Sequence, residues 1–130
     1  MSGPGPAGGR RVLAGYVAVP AHAGPDAADG LVAAWRSRFA AHADRHGYLL
    51  GGVFTDVRGR TERGLYSLAE YLRRDGVVAV VVPDLEHLTQ ARCLSGADRR
   101  TAQRYLRAAV LTMDTAMTVP GAGGARGGRG

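Results

Sequence analysis

The residues of this chain that are best suited to bind a ligand or take part in a reaction are polar and charged side chains that follow two apolar segments. Asp56 and Arg58 come at the end of the segment YLLGGVFTDVR, and His87 comes shortly after VVAVVV. The whole group has one carboxylate, one imidazole and four guanidinium groups: Asp56, His87, Arg58, Arg60, Arg63 and Arg92. Guanidinium groups bind phosphate through paired N–H donors. The four arginines are therefore candidates for a phosphate-binding surface, but a charge run of this kind in an arginine-rich protein is more often a solvated loop, and that alternative is favoured here.

Three other reactive side chains give weaker signals. Cys93 precedes a predicted helix, where a thiol pKa can be lowered, but a cysteine more often packs as a small apolar side chain. We expect that packed state here. His42 and His46 have the i, i+4 spacing of two metal ligands, yet the sequence places no carboxylate or third ligand beside them. We therefore expect surface histidines, no metal site and no cofactor.

The segments that must position these residues alternate between apolar and amphipathic runs. RVLAGYVAV, YLLGGVFTD and VVAVVV have the composition of strands, and VLTM can form a fourth. The third run is apolar at every position from Val77 to Val82, which is typical of a central parallel strand covered on both faces. We expect a three-layer α/β fold with a mainly parallel, four- to five-stranded sheet flanked by helices. Its functional loops should lie at the carboxyl ends of the strands.

The first predicted helix follows the turn residues Pro25 and Asp26 and runs to about His46. Its apolar side chains recur every four residues and therefore share one face. They are Leu31, Trp35, Phe39 and Ala43. Gly47 is predicted to end this helix as a left-handed C-terminal cap.

Two further helices are predicted from capping residues and apolar spacing. Thr61 is expected to cap the second helix and Gly76 to end it. Its buried face carries Leu65, Leu68 and Leu72. Ser95 and Asp98 have the spacing of a capping box and are predicted to open the last helix. The inward face of that helix carries Ala102, Tyr105, Leu106 and Ala109.

The composition fits one globular domain between two polar ends. A chain of 130 residues, 45% of them hydrophobic, has room for a single core. We expect a flexible N-terminal tail at 1–10, an α/β domain at 11–118 and a flexible Gly/Arg tail at 119–130. The net charge is +6, but without Arg10, Arg11, Arg126 and Arg129 there remain 13 arginines against 11 acidic residues. Binding to DNA is therefore expected to be weak and non-specific.

The single cysteine and the lack of a long apolar run limit the expected environment. One cysteine excludes an intramolecular disulfide and makes a reducing compartment the default. No stretch approaches the roughly 18 apolar residues of a membrane span, and the first residues lack the apolar core of a signal peptide. We expect a cytoplasmic protein without a membrane partner.

The ends of the predicted strands carry a further set of positions. The first strand ends in YVAVP, with Tyr16, Ala18 and Pro20 at alternate positions, and the second strand ends in VFTD at Asp56. Arg63 then opens a helix that leads to the glycine before the third strand.

After the third strand, the segment EHLTQ supplies Glu86, His87, Leu88 and Gln90. Taken in this order, the four segments resemble the N-terminal catalytic domain of the serine recombinases, the resolvase and invertase family. The resemblance covers roughly residues 12 to 114.

The resemblance implies a fold that has lost most of its chemistry. In the family, a serine hydroxyl attacks a DNA phosphodiester while several arginines stabilise the charge at phosphorus. The family's first strand reads Tyr-x-Arg-x-Ser, so its nucleophile falls at Pro20 and its arginine at Ala18. Its Asp-Arg-Leu-x-Arg motif puts two further arginines at His87 and Gln90. The vestigial family site is Tyr16, Ala18, Asp56, Arg63, His87 and Gln90, in which only Asp56 and Arg63 keep the family's charges.

These losses predict a non-catalytic recombinase-like protein that acts through contacts with protein or weak contacts with nucleic acid. The family dimerises on a long helix after this domain; here the sequence continues PGAGGARGGRG, so we expect a monomer or weak dimer. One alternative is an active strand-exchange or nicking recombinase whose nucleophile lies elsewhere in the chain. Another is a small-molecule or nucleotide-binding α/β domain, although no Gly-x-Gly-x-x-Gly or Walker-type loop supports it.

Overall fold

The computed structural model of the protein describes residues 11–113, which form four strands and four α-helices. The elements follow one another as β1 (Arg11–Val19), α1 (Pro25–Arg45), β2 (Tyr48–Val57), α2 (Arg63–Tyr71), β3 (Val77–Val82), α3 (Glu86–Thr89), a 3-10 turn (Arg92–Leu94), α4 (Arg99–Leu106) and β4 (Ala109–Thr112). The tails predicted at 1–10 and 119–130, and the predicted end of the domain at 114–118, lie outside the described residues.

The four strands form one sheet in the order β2-β1-β3-β4, and every neighbouring pair is parallel. Helices cover both faces of this sheet. The three-layer α/β fold is therefore confirmed, with four strands within residues 11–113. None of the helices in that range combines the length and the apolar character that crossing a bilayer requires.

The two faces of the sheet are packed against different helices because successive side chains of a strand point in opposite directions. On one face, Val17, Val19 and Val81 pack against α1, whose apolar stripe was predicted and whose Phe39 is fully buried. On the other face, side chains of the strands pack against α2, α3, the 3-10 turn and α4. The buried residues of this second cluster include Tyr16, Val80, Val82, Leu65, Leu68, Leu88 and Leu106.

Strand β1 is the innermost element, with every residue from Leu13 to Val19 buried. It hydrogen-bonds to β2 on one side and to β3 on the other. Gly15 lets α1 approach this strand closely, since a Cβ there would lie 2.5 Å from Phe39 Cδ2. The carboxyl end of β1 therefore lies between those of β2 and β3, at the edge where the functional loops were predicted.

The predicted ends of the first two helices are partly right. Helix α1 ends at Arg45, and Gly47 takes the left-handed conformation expected of it, with φ of 81°. Helix α2 ends at Tyr71, earlier than predicted, because the chain leaves the helix through turns before Gly76 (φ 87°) leads into β3. Thr61 does not cap α2: the N-cap residue is Glu62, whose side chain makes no capping hydrogen bond.

The last helix differs from the prediction at both ends. Asp98 alone is the N-cap of α4 and accepts a 2.8 Å hydrogen bond from the Thr101 amide, whereas Ser95 ends the 3-10 turn and takes no part in a capping box. The helix stops at Leu106 because Arg107 is left-handed, with φ of 57°.

The predicted inward stripe of α4 is therefore only half correct. Ala102 and Leu106 are buried, but Tyr105 is 44% exposed. Ala109 lies beyond the helix, as the exposed first residue of β4. The helix has only eight residues, and it packs on the sheet through Ala102 and Leu106, which lie four residues apart on one face. Tyr105 therefore lies at the border between that face and solvent.

Candidate functional site

The carboxyl ends of β1, β2 and β3 meet at one edge of the sheet, which carries most of the positions that the resemblance to the serine recombinases singled out. Ala18 pairs with Asp56 across the β1–β2 ladder. The structure brings Tyr16, Ala18, Asp56, His87 and Gln90 together there through hydrogen bonds. Arg63 opens α2 beside this cluster with an exposed side chain.

Asp56 is the centre of the cluster and is only 3% exposed. Its Oδ1 accepts hydrogen bonds from the Thr61 hydroxyl at 2.7 Å and the Gly64 amide at 2.8 Å. Its Oδ2 accepts from the Leu65 amide at 2.8 Å and the Tyr16 hydroxyl at 2.7 Å. Two of these donors are first-turn amides of α2, so Asp56 satisfies the helix end that Thr61 was expected to cap. With four donors on two oxygens, this carboxylate is committed to holding α2 on the sheet.

The Tyr16 hydroxyl is held between two partners. It donates to Asp56 and accepts a 3.2 Å hydrogen bond from Nε2 of Gln90. Burial, followed by the hydrogen bond to Asp56, raises the pKa of Tyr16 far above its ordinary value of 10.0. The phenol therefore stays protonated at physiological pH.

Gln90 ties the loop after β2 to the innermost strand. Its Oε1 accepts a 3.0 Å hydrogen bond from the Gly59 amide while its Nε2 donates to Tyr16. Gly59 itself takes a positive φ of 74°, which favours glycine at this turn. An amide side chain suits this position because it supplies one donor and one acceptor, whereas a guanidinium supplies donors only.

His87 closes the cluster on the α3 side. Its Nδ1 accepts a 3.0 Å hydrogen bond from the Ala18 amide, so the ring is neutral and carries its proton on Nε2. Burial, and to a smaller extent the nearby Arg58, lower the pKa of His87, and Asp84 and Glu86 oppose that shift only partly. His87 therefore brings no charge to this edge of the sheet near neutral pH.

Pro20 ends β1 and begins the turn to α1. It has no amide hydrogen to extend the strand, and its carbonyl accepts a 3.1 Å hydrogen bond from the Ala23 amide. The three serines of residues 11–113 lie elsewhere: Ser37 in α1, Ser67 in α2 and Ser95 after the 3-10 turn. None of them is at the carboxyl end of β1.

The four predicted phosphate ligands do not form one group. Arg60 and Arg92 line a cleft of about 620 Å³ beside the strand-end cluster. Arg58 and Arg63 are not part of its lining. We call this feature the arginine cleft, and it is lined by Gly59, Arg60, Thr61, Glu62, Tyr66, Gln90, Arg92 and Cys93.

Three residues of the arginine cleft were missed or misjudged from the sequence. Cys93 is exposed, not packed, because the short 3-10 turn directs the neighbouring Leu94 into the core instead. Tyr66 is 53% exposed, and its place outside the apolar spacing of α2 is the signal that would have identified it. Glu62 is the one acidic side chain of the lining.

Tyr105 of α4 lies beside Cys93 of this cleft, and its interaction with the Cys93 side chain, followed by burial, raises the pKa of Tyr105 to about 12. The phenol therefore stays neutral at physiological pH and presents an aromatic ring to solvent beside the cleft.

His42 and His46 form a pair on α1, with ring centroids 4.6 Å apart. Contrary to the prediction of surface histidines, His42 is 6% exposed, since it faces the interior at the end of the helix. Burial, and next the neighbouring His46, lower the pKa of His42. Within residues 11–113, no group of three or more histidine, cysteine or acidic side chains is placed to hold a metal ion.

No protein-family model matches this chain, and no curated protein or solved structure is significantly similar to it. The chemistry open to the site is set by its own groups. At the ends of β1 and β2 the polar side chains bond to one another, and in the arginine cleft two guanidinium groups face solvent.

Proposed function

We propose that this protein is a non-catalytic domain of the serine recombinase type, which acts through contacts with protein or through weak contacts with nucleic acid. The order of its matched positions, from Tyr16 through Asp56 and Arg63 to His87, supports that origin. The observation that carries the loss of activity is the closed hydrogen-bond network of Tyr16, Asp56 and Gln90.

Strand cleavage by this family needs a nucleophile and a cluster of cations around one phosphate. At the matched positions Pro20 has no hydroxyl, and Ala18 and Gln90 have no charge. His87 is neutral, since its Nδ1 accepts a hydrogen bond from the backbone. A transition state with extra negative charge would therefore lack the three arginines that the family has at the positions of Ala18, His87 and Gln90.

Binding without chemistry is compatible with the remaining charges. Arg60 and Arg92 lie at the surface beside the hydrogen-bonded cluster of Tyr16, Asp56 and Gln90, where a guanidinium can contact a phosphate without being buried. Sequence-independent contacts of this kind give dissociation constants of about 10⁻⁴ to 10⁻⁶ M at physiological salt, and they weaken as the salt concentration rises.

The test is incubation with supercoiled plasmid followed by a denaturing gel that detects protein linked covalently to DNA. We expect neither nicks nor adducts, and we expect gel-shift binding that is weak and falls steeply with salt. An adduct that survives denaturation would overturn the proposal, and so would sequence-selective binding at nanomolar concentration. The double variant Arg60→Ala, Arg92→Ala is the control for binding through the cleft.

A further inference from the structure

The arginine cleft has the size and the rigidity of a binding site. Its volume of about 620 Å³ lies within the roughly 300 to 1,000 Å³ of ligand pockets. One wall is the loop from β2 to α2, and the other is the segment that follows α3. Gln90 bonds to Gly59 across the cleft at 3.0 Å, and Glu62 Oε2 accepts the Arg92 amide at 3.0 Å. The two walls are therefore held in place before any ligand arrives.

The charge of the cleft favours an anion. Its lining has the guanidinium groups of Arg60 and Arg92 against the single carboxylate of Glu62. That carboxylate is already engaged, because its Oε1 accepts the Tyr66 hydroxyl at 3.1 Å and its Oε2 accepts the Arg92 amide. Both arginine side chains are exposed and free to meet an incoming phosphate.

Aromatic rings accompany these charges. Tyr66, which lines the cleft, is 53% exposed, and Tyr105 beside it is 44% exposed. Within residues 11–113, the exposed large hydrophobic side chains are these two tyrosines and Leu49. Arginines beside exposed aromatic rings are the combination that binds single strands, since phosphates meet the cations while bases stack on the rings.

We propose that the arginine cleft binds single-stranded nucleic acid, with Arg60 and Arg92 on phosphates and Tyr66 stacked on a base. This inference rests on the proposed function, because it names the nucleic-acid form and the surface that make the contact. Duplex is disfavoured because its bases are already stacked on one another and cannot present a face to Tyr66. A free mononucleotide has the same base but a single phosphate group, so it serves as the competitor that tests whether more than one phosphate is needed.

The first experiment measures fluorescence anisotropy of a short labelled oligonucleotide, with its duplex and a mononucleotide as competitors. We expect the single strand to bind most tightly. Arg60→Ala and Arg92→Ala should each lower the slope of log K against log salt by about 0.7, the contribution of one phosphate contact on a single strand. Arg36→Ala, an exposed arginine of α1, is the matched control and should bind as the wild type does.

The second experiment separates stacking from hydrogen bonding at Tyr66. Tyr66→Phe and Tyr66→Leu both lose the hydroxyl that bonds to Glu62, but only Tyr66→Leu loses the ring. We expect Tyr66→Leu to bind the oligonucleotide about fivefold or more weakly than Tyr66→Phe, as the loss of one stacked base implies.

Cys93 gives a direct readout of where the ligand lies, because it is the one cysteine of the chain and lines the cleft. Bound oligonucleotide should slow the alkylation of Cys93 by a maleimide, and Arg60→Ala should weaken that protection.

Equal binding of single strand, duplex and mononucleotide would overturn the inference, as would equal binding by Tyr66→Leu and Tyr66→Phe or unprotected Cys93. Each of these results leaves the absence of covalent adducts untouched. A covalent adduct would instead overturn the proposed function and say nothing against the cleft. Circular dichroism of every variant confirms that a loss of binding is not a loss of fold.

Discussion

The backbone amide of Ala18 donates a 3.0 Å hydrogen bond to Nδ1 of His87, across 69 positions of the chain. The bond joins the carboxyl end of the innermost strand to α3. It requires a lone pair on Nδ1, and therefore a neutral imidazole. Protonation of His87 would place an N–H against an N–H, so the link has a built-in dependence on pH.

The first prediction is that the protein loses stability as the pH falls. The pKa of His87 and the pKa of His42 are both lowered from 6.5 in the folded protein. The unfolded chain then takes up protons before the folded one does, so the stabilisation is full above about pH 6.5 and is lost as the pH falls through the folded values. Urea unfolding at about pH 7.5 and about pH 5.5 should give a lower midpoint at the acidic pH.

The variant His87→Asn is the control for that prediction. Its Oδ1 can accept the Ala18 amide but does not titrate, so the variant should lose the part of the pH dependence that His87 contributes and keep the part from His42. A wild-type midpoint that is unchanged or higher at acidic pH would contradict the assignment.

The second prediction concerns the carboxylate that holds α2. Asp56→Ala leaves the Tyr16 hydroxyl and the amides of Gly64 and Leu65 without their acceptor, which should lower the free energy of unfolding by about 3 kcal/mol or more. Asp98→Ala removes one exposed cap bond of α4 and should cost much less than Asp56→Ala, because the freed amide can bond to water. Denaturant unfolding of both variants measures the two changes in the free energy of unfolding. Equal changes would contradict the central role of Asp56.

The third prediction compares two glycines. A Cβ on Gly64 would overlap the Thr55 carbonyl oxygen and lie 2.7 Å from its carbon, so Gly64→Ala should destabilise by about 1 to 3 kcal/mol. Gly30 lies inside α1 with open space around it, and Gly30→Ala should stabilise by about 0.5 to 1 kcal/mol. The two melting temperatures should therefore move in opposite directions. A neutral Gly64→Ala would mean that α2 is free to shift away from β2.

The fourth prediction, which rests on the proposed function, is that serine recombinase chemistry cannot be introduced into this protein one residue at a time. Pro20→Ser supplies a hydroxyl but leaves Ala18, His87 and Gln90 without the charges that the family has at these positions. It should therefore give no adduct with plasmid DNA on a denaturing gel. Ala18→Arg puts a guanidinium where the native side chain is 1% exposed, and it should destabilise the fold by about 3 kcal/mol or more. Cleavage by Pro20→Ser alone would show that the remaining groups suffice.

Strands β1 and β3 were predictable from the sequence because their runs of apolar residues are long and almost continuous. The predicted bounds of β1 and β3 agree with the structure, and the stripe of α1 packs as its spacing indicated. The role of Asp56 was not predictable, since its partner Tyr16 lies 40 positions away and only the folded sheet brings them together. The exposure of Tyr105 and Cys93 depended on how short α4 and the 3-10 turn are, which apolar spacing does not specify.

The inner position of β1 also sets the order in which the sheet can be completed during synthesis. As the first strand of the described residues, β1 leaves the ribosome before either of its neighbours, and it pairs with β2 on one side and β3 on the other. Its backbone is therefore unpaired along at least one edge until Val82 has emerged. During that interval the nascent chain exposes seven residues that are buried in the folded protein. This is the stage at which binding by a chaperone would do most to prevent aggregation.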